Sequence, residues 1–270
     1  MENVLHHALE QRELGEVMRV NGYELEVSLD DLIGRTIYIN GIWEPRSTKA
    51  LRRLLYPGAV VFDIGANTGY YTLLFAQLVG DRGKIYAFEP VPSTIAILRR
   101  NLTRNASLAA RVELIEVALS DQEGFVTLNV ASEKNLGASH VVAADVADAG
   151  RAAAGLAGTV TIRSRTADSV WKEQGRPAVD VVKLDIEGHE QHALRGMHEL
   201  IAASPAISIL AEVRETFLVA AGTSSDELFA QMRSLGLTSF DFAAPRGRFV
   251  RNDATRAGEL VIFSKRRLEE

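Results

Sequence analysis

Along the chain, short and nearly continuous apolar runs alternate with longer stretches in which apolar residues recur every three or four positions. The first pattern predicts strands covered on both faces, and the second predicts helices with one buried stripe. Strands are expected at Val60–Ile64, Lys84–Phe88 and residues 112–117, 179–184 and 207–213. Helices are expected at 47–55, Tyr70–Val79, 93–105, 191–202 and 225–235. Residues 237–242 and 260–263, joined through Pro245-Arg246-Gly247, predict an antiparallel pair at one edge. This order defines an α/β, doubly wound, mostly parallel seven-stranded sheet.

Two regions break the rhythm. Residues 3–18 have the spacing of an amphipathic helix, and 23–27 and 35–39 read as an irregular or hairpin region, so 1–56 is expected to be an N-terminal attachment to a main domain over 57–270. Between the third and fourth core strands, an insertion over about 125–165 includes strand-like residues 125–130 and 159–163 around an Ala/Gly-rich stretch at 141–158.

Composition narrows the class. The 270 residues, 47% hydrophobic and 24% charged, suit one soluble domain with a full core. No apolar run reaches the roughly 18 residues of a membrane span, and the first residues lack the pattern of a secretory leader. A cytoplasmic location and no membrane partner are therefore expected. The absence of cysteine removes disulfides, zinc-thiolate sites and thiol nucleophiles, leaving oxygen or imidazole for any metal. A net charge of −5 argues against a nucleic-acid partner, and Arg99-Arg100 and Lys265-Arg266-Arg267 are not interleaved with aromatics. A homo-oligomer is left open.

The candidate chemistry begins at Asp63-Ile64-Gly65-Ala66-Asn67-Thr68-Gly69-Tyr70-Tyr71, a strand entering a glycine turn and then a helix. Gly65 and Gly69 let the backbone turn sharply and approach a ligand. A dinucleotide fingerprint would need glycine where Asn67 stands, and no Gly-Lys-Ser or Gly-Lys-Thr follows for a phosphate loop. Asp63 suits an ammonium group. Glu89, at the end of the second core strand, suits two ribose hydroxyls, and together they suit S-adenosylmethionine.

With Asp31-Leu32-Ile33-Gly34, Gly41-Ile42-Trp43-Glu44-Pro45, Phe88-Glu89-Pro90, Ala118-Leu119-Ser120-Asp121 and Lys183-Leu184-Asp185-Ile186-Glu187-Gly188-His189-Glu190 added, the chain resembles the FkbM family of S-adenosylmethionine-dependent methyltransferases. The resemblance implies a class I, Rossmann-like fold. It places Asp63, Gly65, Asn67, Gly69 and Glu89 on the cofactor and Ala118 beside its adenine. It also implies transfer to a hydroxyl of a sugar, polyketide or related natural product. His189 departs from the small residue more usual there.

Asp185, at the end of the fourth core strand, is the first choice for a base that takes the acceptor's proton, and it also borders the cofactor. His189 and Glu212 are the other catalytic candidates. Glu187 reads more simply as a helix cap, and Lys183 either holds Asp185 ionised or forms a plain ion pair. No resident metal is assigned. Mg²⁺ between Asp185 and Glu212 is a less favoured alternative. Trp43 and Glu44 are expected in a loop covering the acceptor, whereas His6-His7 reads as solvent-exposed. Rival readings are methylation of RNA or protein, and a non-catalytic cofactor-binding subunit.

Overall fold

The computed structural model describes residues 15–131, 140–142, 156–243, 246–252 and 258–268. An antiparallel hairpin, β1 (Glu16–Val20) and β2 (Tyr23–Val27), leads into α1 (Leu32–Asn40) and α2 (Pro45–Leu54). The βα units follow: β3 (Val60–Ile64), α3 (Tyr70–Val79), β4 (Lys84–Phe88), α4 (Pro92–Arg104), the short α5 (Ala106–Ala109) and β5 (Val112–Ile115). A second sheet is made by β6 (Ala118–Leu119), β7 (Gly124–Ala131), β8 (His140–Val142) and β9 (Leu156–Arg165). The chain returns through α6 (Ala167–Glu173), β10 (Val181–Leu184), α7 (Glu190–Arg195), α8 (His198–Ala203) and β11 (Ser208–Val213). It ends in α9 (Glu215–Ala220), α10 (Ser225–Ser234), β12 (Thr238–Ala243), β13 (Arg248–Arg251) and β14 (Gly258–Ser264).

The main sheet has the order β13-β12-β14-β11-β10-β3-β4-β5. The five strands from β11 to β5 are parallel, and β14, β12 and β13 run antiparallel at one side. This is the expected doubly wound sheet with one further edge strand, β13. Its alternation explains the apolar runs. Phe62, Val182 and Ile209 pack on one face against Trp171, Leu200 and Phe229, while Val61, Val181 and Leu210 share the opposite core with Leu51, Leu73 and Phe75.

The amino-terminal expectations need correction. Of the helix expected over 3–18, residues 3–14 lie outside the described residues, and Glu16–Val20 is a strand paired with Tyr23–Val27. Asn21 (φ 51°) and Gly22 (φ 96°) supply the left-handed pair that closes such a hairpin. Residues 35–39, read as extended, are helical because Asp31 caps Gly34 N–H at 3.1 Å and Gly41 ends the helix at φ 70°. The helix expected over 191–202 is split at Gly196, where a Cβ would lie 2.1 Å from the Ser120 carbonyl oxygen. The strand expected at 112–117 stops at Ile115, and Ala118 and Leu119 instead join the second sheet beside β9. Within the insertion, residues 132–139 and 143–155 lie outside the described residues.

The hairpin is locked to the main domain by α4. Arg100 donates to the Glu26 carboxylate at 2.7 Å, which holds that buried acid below its ordinary pKa. Fully buried Asn101 accepts from Glu26 N–H and donates to the Thr68 carbonyl oxygen at 2.8 Å, joining the hairpin to the glycine turn.

Candidate active site

Strand order reverses between β3 and β10, because the chain first builds outward through β4 and β5 and then returns to the other side of β3. A crevice at the carboxyl ends of the strands follows from that reversal. It encloses about 1160 Å³, its open mouth included. The glycine turn forms its floor. Gly65 and Ala66 N–H donate to the Phe88 carbonyl oxygen at 3.0 and 2.9 Å. Gly65, Asn67 and Gly69 have φ of 81°, 50° and 97°. A Cβ on Gly65 would fall 2.0 Å from the Asp185 carbonyl oxygen, so glycine lets β3 and β10 deliver their ends side by side. No side chain caps the first turn of α3, which leaves its positive end open beside the cleft.

Glu89 lines the cleft and is 6% exposed. Its two oxygens accept from Asn67 N–H at 2.9 Å and Val91 N–H at 3.0 Å, which fixes the carboxylate. Burial pushes its pKa up to about 7 against those two donors. Asp63 sits differently from the expectation. It is fully buried, is not part of the cleft wall, and accepts a hydrogen bond from the Thr72 hydroxyl at 2.5 Å. Its Oδ1 has no partner, an unmet demand that a donated hydrogen bond would satisfy. Lys183, its register neighbour on β10, partly offsets the cost of burial.

Beyond the turn, carboxylates gather. Oxygens of Asp185, Glu187 and Glu212 all lie within 4.8 Å of one another. Asp185 follows β10, and Glu212 stands where β11 shifts register against β14, an irregularity that re-aims a side chain. Buried Lys183 donates to Asp185 at 2.9 Å and lies 5.1 Å from the centre of the Tyr71 ring. Arg214 donates to Glu212 at 2.7 Å. Burial first, and the charge of Asp185 second, raise Glu187 to about 7 and Glu212 to about 8.

These shifts have a thermodynamic sign. A carboxyl with a raised native pKa binds its proton more tightly folded than unfolded, so it contributes stability that is full below the ordinary value of 4.5 and is lost as pH rises through about 8. Glu212→Gln is therefore expected to melt close to wild type in acid and above it in mild alkali, a gap that thermal unfolding across pH would read. A gap that does not widen with pH would show that Glu212 is not desolvated in the native state.

His189 is buried. Its Nε2 lies 3.0 Å from the Ser120 hydroxyl, its ring stacks on His192 at 4.5 Å, and burial lowers its pKa to about 4. It lines the cleft with Ala118, tied through Ser120 to the segment that follows Ala118. The capping role expected of Glu187 belongs to Glu190, whose carboxylate accepts from Ile186 and Gly188 N–H at 3.1 and 3.2 Å. Trp43 and Glu44 do line the cleft, together with Tyr70 and Tyr71. Glu44 was expected only as part of a covering loop, yet its carboxylate accepts from the Tyr71 hydroxyl at 2.9 Å.

A doubly wound sheet, a glycine turn at its switch point and an acid at the end of the next strand define a class I methyltransferase, dependent on S-adenosylmethionine. The profile of the methyltransferase FkbM domain matches residues 63–237, and the chain belongs to the FkbM methyltransferase family. It is 31% identical over 206 residues to the 31-O-demethyl-FK506 methyltransferase FkbM of Streptomyces tacrolimicus, covering 68% of this chain and 74% of that protein. It is 24% identical to the 2-O-methyltransferase NoeI of Sinorhizobium fredii, covering 61% of this chain and 70% of that one. A solved methyltransferase FkbM from Methylobacillus flagellatus superposes with a TM-score of 0.47 at 15% identity, covering 77% of this chain and 43% of the solved one. This chain thus spans less than half of that solved protein. Among the described residues, no helix is long and apolar enough to cross a membrane.

Proposed function

We propose that the cleft transfers a methyl group from S-adenosylmethionine to a hydroxyl of a sugar, polyketide or related natural product. The observation that carries this reading is the carboxylate group of Asp185, Glu187 and Glu212, which shares one cleft with Glu89 and the glycine turn. Two relatives are named for transfer to oxygen. The residues suit the cofactor: Glu89 is fixed to receive ribose hydroxyls and Ala118 offers a small wall for adenine, while Asp63 supports the turn from behind the wall. When bound, S-adenosylmethionine supplies a methyl group already made electrophilic by its sulfonium. The protein's task is then alignment, exclusion of water and removal of one proton.

In this reading the acceptor hydroxyl gives its proton to the Asp185 carboxylate as its oxygen takes the methyl. Lys183 holds that carboxylate in place. Trp43 closes over the acceptor, and Trp43→Ala is expected to raise acceptor KM several-fold. Unchanged KM and kcat would remove the covering role.

The same three carboxylates also fit the alternative of a bound divalent cation. Their existing partners favour the base reading, since Lys183 and Arg214 already engage Asp185 and Glu212. Turnover of a hydroxylated acceptor is accordingly expected to survive EDTA undiminished. Loss on chelation, restored by Mg²⁺, would replace the base with a metal.

A further inference from the structure

The loop before α2 is built into the cleft more firmly than a covering loop requires. Trp43 N–H donates to the Tyr70 hydroxyl at 3.2 Å, and the Thr48 hydroxyl donates to the Trp43 carbonyl oxygen at 2.8 Å. The Tyr71 hydroxyl holds the Glu44 carboxylate. Both tyrosines open α3, immediately after Gly69, so the loop is pinned to the helix that follows the glycine turn. Glu44 itself stands at φ 39° and ψ 74°, in the left-handed region that a residue with a long side chain rarely adopts. Such a conformation persists only where its surroundings enforce it.

The charges show what this arrangement delivers. Glu44 lies within electrostatic reach of Asp185, Lys183 and Glu212. Glu89 aside, the described residues lining the cleft include four acids, Glu44, Asp185, Glu187 and Glu212, and two cations, Lys183 and Arg214. Lys183 is itself buried beneath Tyr71 and bonded to Asp185. Four acids crowd two cations there, and burial with mutual repulsion pushes Glu187 and Glu212 toward the protonated form, so a cation gains by letting them ionise and a further anion pays.

We propose that Glu44 is an acceptor-site residue: it accepts a hydrogen bond from a hydroxyl of the acceptor beside the one that reacts, and its charge makes the methyl-transfer end of the cleft favour uncharged or cationic groups over anionic ones. This rests on the methyltransferase reading of the same cleft and adds to it a residue and a charge class. An acceptor bearing a carboxylate or phosphate next to the reacting hydroxyl is disfavoured, and an uncharged polyhydroxylated one is accepted.

Two cofactor analogues read the charge directly. S-adenosylhomocysteine is neutral at sulfur, whereas sinefungin carries a protonated amine where the methyl would be. Calorimetric titration of the full chain is expected to give sinefungin at least about tenfold tighter than S-adenosylhomocysteine. In Glu44→Gln that preference should fall by about threefold or more, with S-adenosylhomocysteine affinity held within about twofold. Glu44→Asp keeps the charge and tolerates the left-handed backbone better, so it should restore most of the preference. Normal S-adenosylhomocysteine binding with a preference untouched by Glu44→Gln would overturn the role of Glu44 and leave the methyltransferase reading standing. If neither analogue binds the wild-type protein, that reading falls and takes this proposal with it.

Discussion

Asp185→Asn is expected to bind S-adenosylmethionine within about threefold of wild type and to lose methyl transfer by about 10²-fold or more, the usual contribution of a placed base. The substitution preserves shape, so the Asp185 carbonyl oxygen still closes on Gly65 and the β10 backbone keeps its register with β3. What it removes is the proton acceptor and the ionic partner of Lys183. Lys183 retains Asp63 and Glu44 as neighbouring charges, which limits the cost of stranding a buried cation. Calorimetry and a transfer assay on the same preparation separate the two effects. Wild-type turnover in the variant would remove Asp185 both as base and as metal ligand.

Gly65→Ala is expected to cost about 2 to 5 kcal/mol of stability or, if the turn opens to relieve the clash, most of the cofactor affinity. The new Cβ would meet a backbone oxygen at 2.0 Å, and a backbone at the end of a paired strand has nowhere to go. The residue also sits at φ 81°. Gly41→Ala provides the comparison, because its φ is 70° but nothing lies within 4 Å of the added Cβ. Thermal unfolding of the two variants isolates the clash from the backbone strain. Equal stabilities would mean that β3 and β10 do not approach as closely as described.

The parts of this fold legible in the sequence are those in which one physical requirement dominates. Val60–Ile64 and Lys84–Phe88 are covered on both faces, so their apolar runs are unbroken and their bounds plain. The turn from Gly65 to Gly69 was legible because its backbone conformation excludes most side chains. The amino-terminal region was misread where local signals competed. Thr36, Ile37, Tyr38 and Ile39 have strand propensity, yet Asp31 and Gly41 cap a helix around them. Asn21-Gly22 is a hairpin-closing pair, but the apolar spacing of the residues before it suits a helix as well.

Site residues divided along a similar line. The strand order brings Asp185, Glu212 and Glu89 to one cleft, because each stands at or beside the carboxyl end of a parallel strand. The burial of Asp63 behind the wall, and of His189 against Ser120, depends on packing between segments far apart in sequence. Glu44 depends on the loop's contacts with Tyr70 and Tyr71, which no spacing in the chain announces.

We propose that the switch-point cleft is an S-adenosylmethionine site with Glu89 on the ribose. The most direct test is calorimetric titration of the purified protein with S-adenosylmethionine, S-adenosylhomocysteine and NAD, with Glu89→Ala alongside. The account predicts saturable binding of the first two, no comparable binding of NAD, and affinity lost in the variant as the ribose acceptor disappears. Binding of NAD in place of the other two, or full affinity in Glu89→Ala, would contradict it.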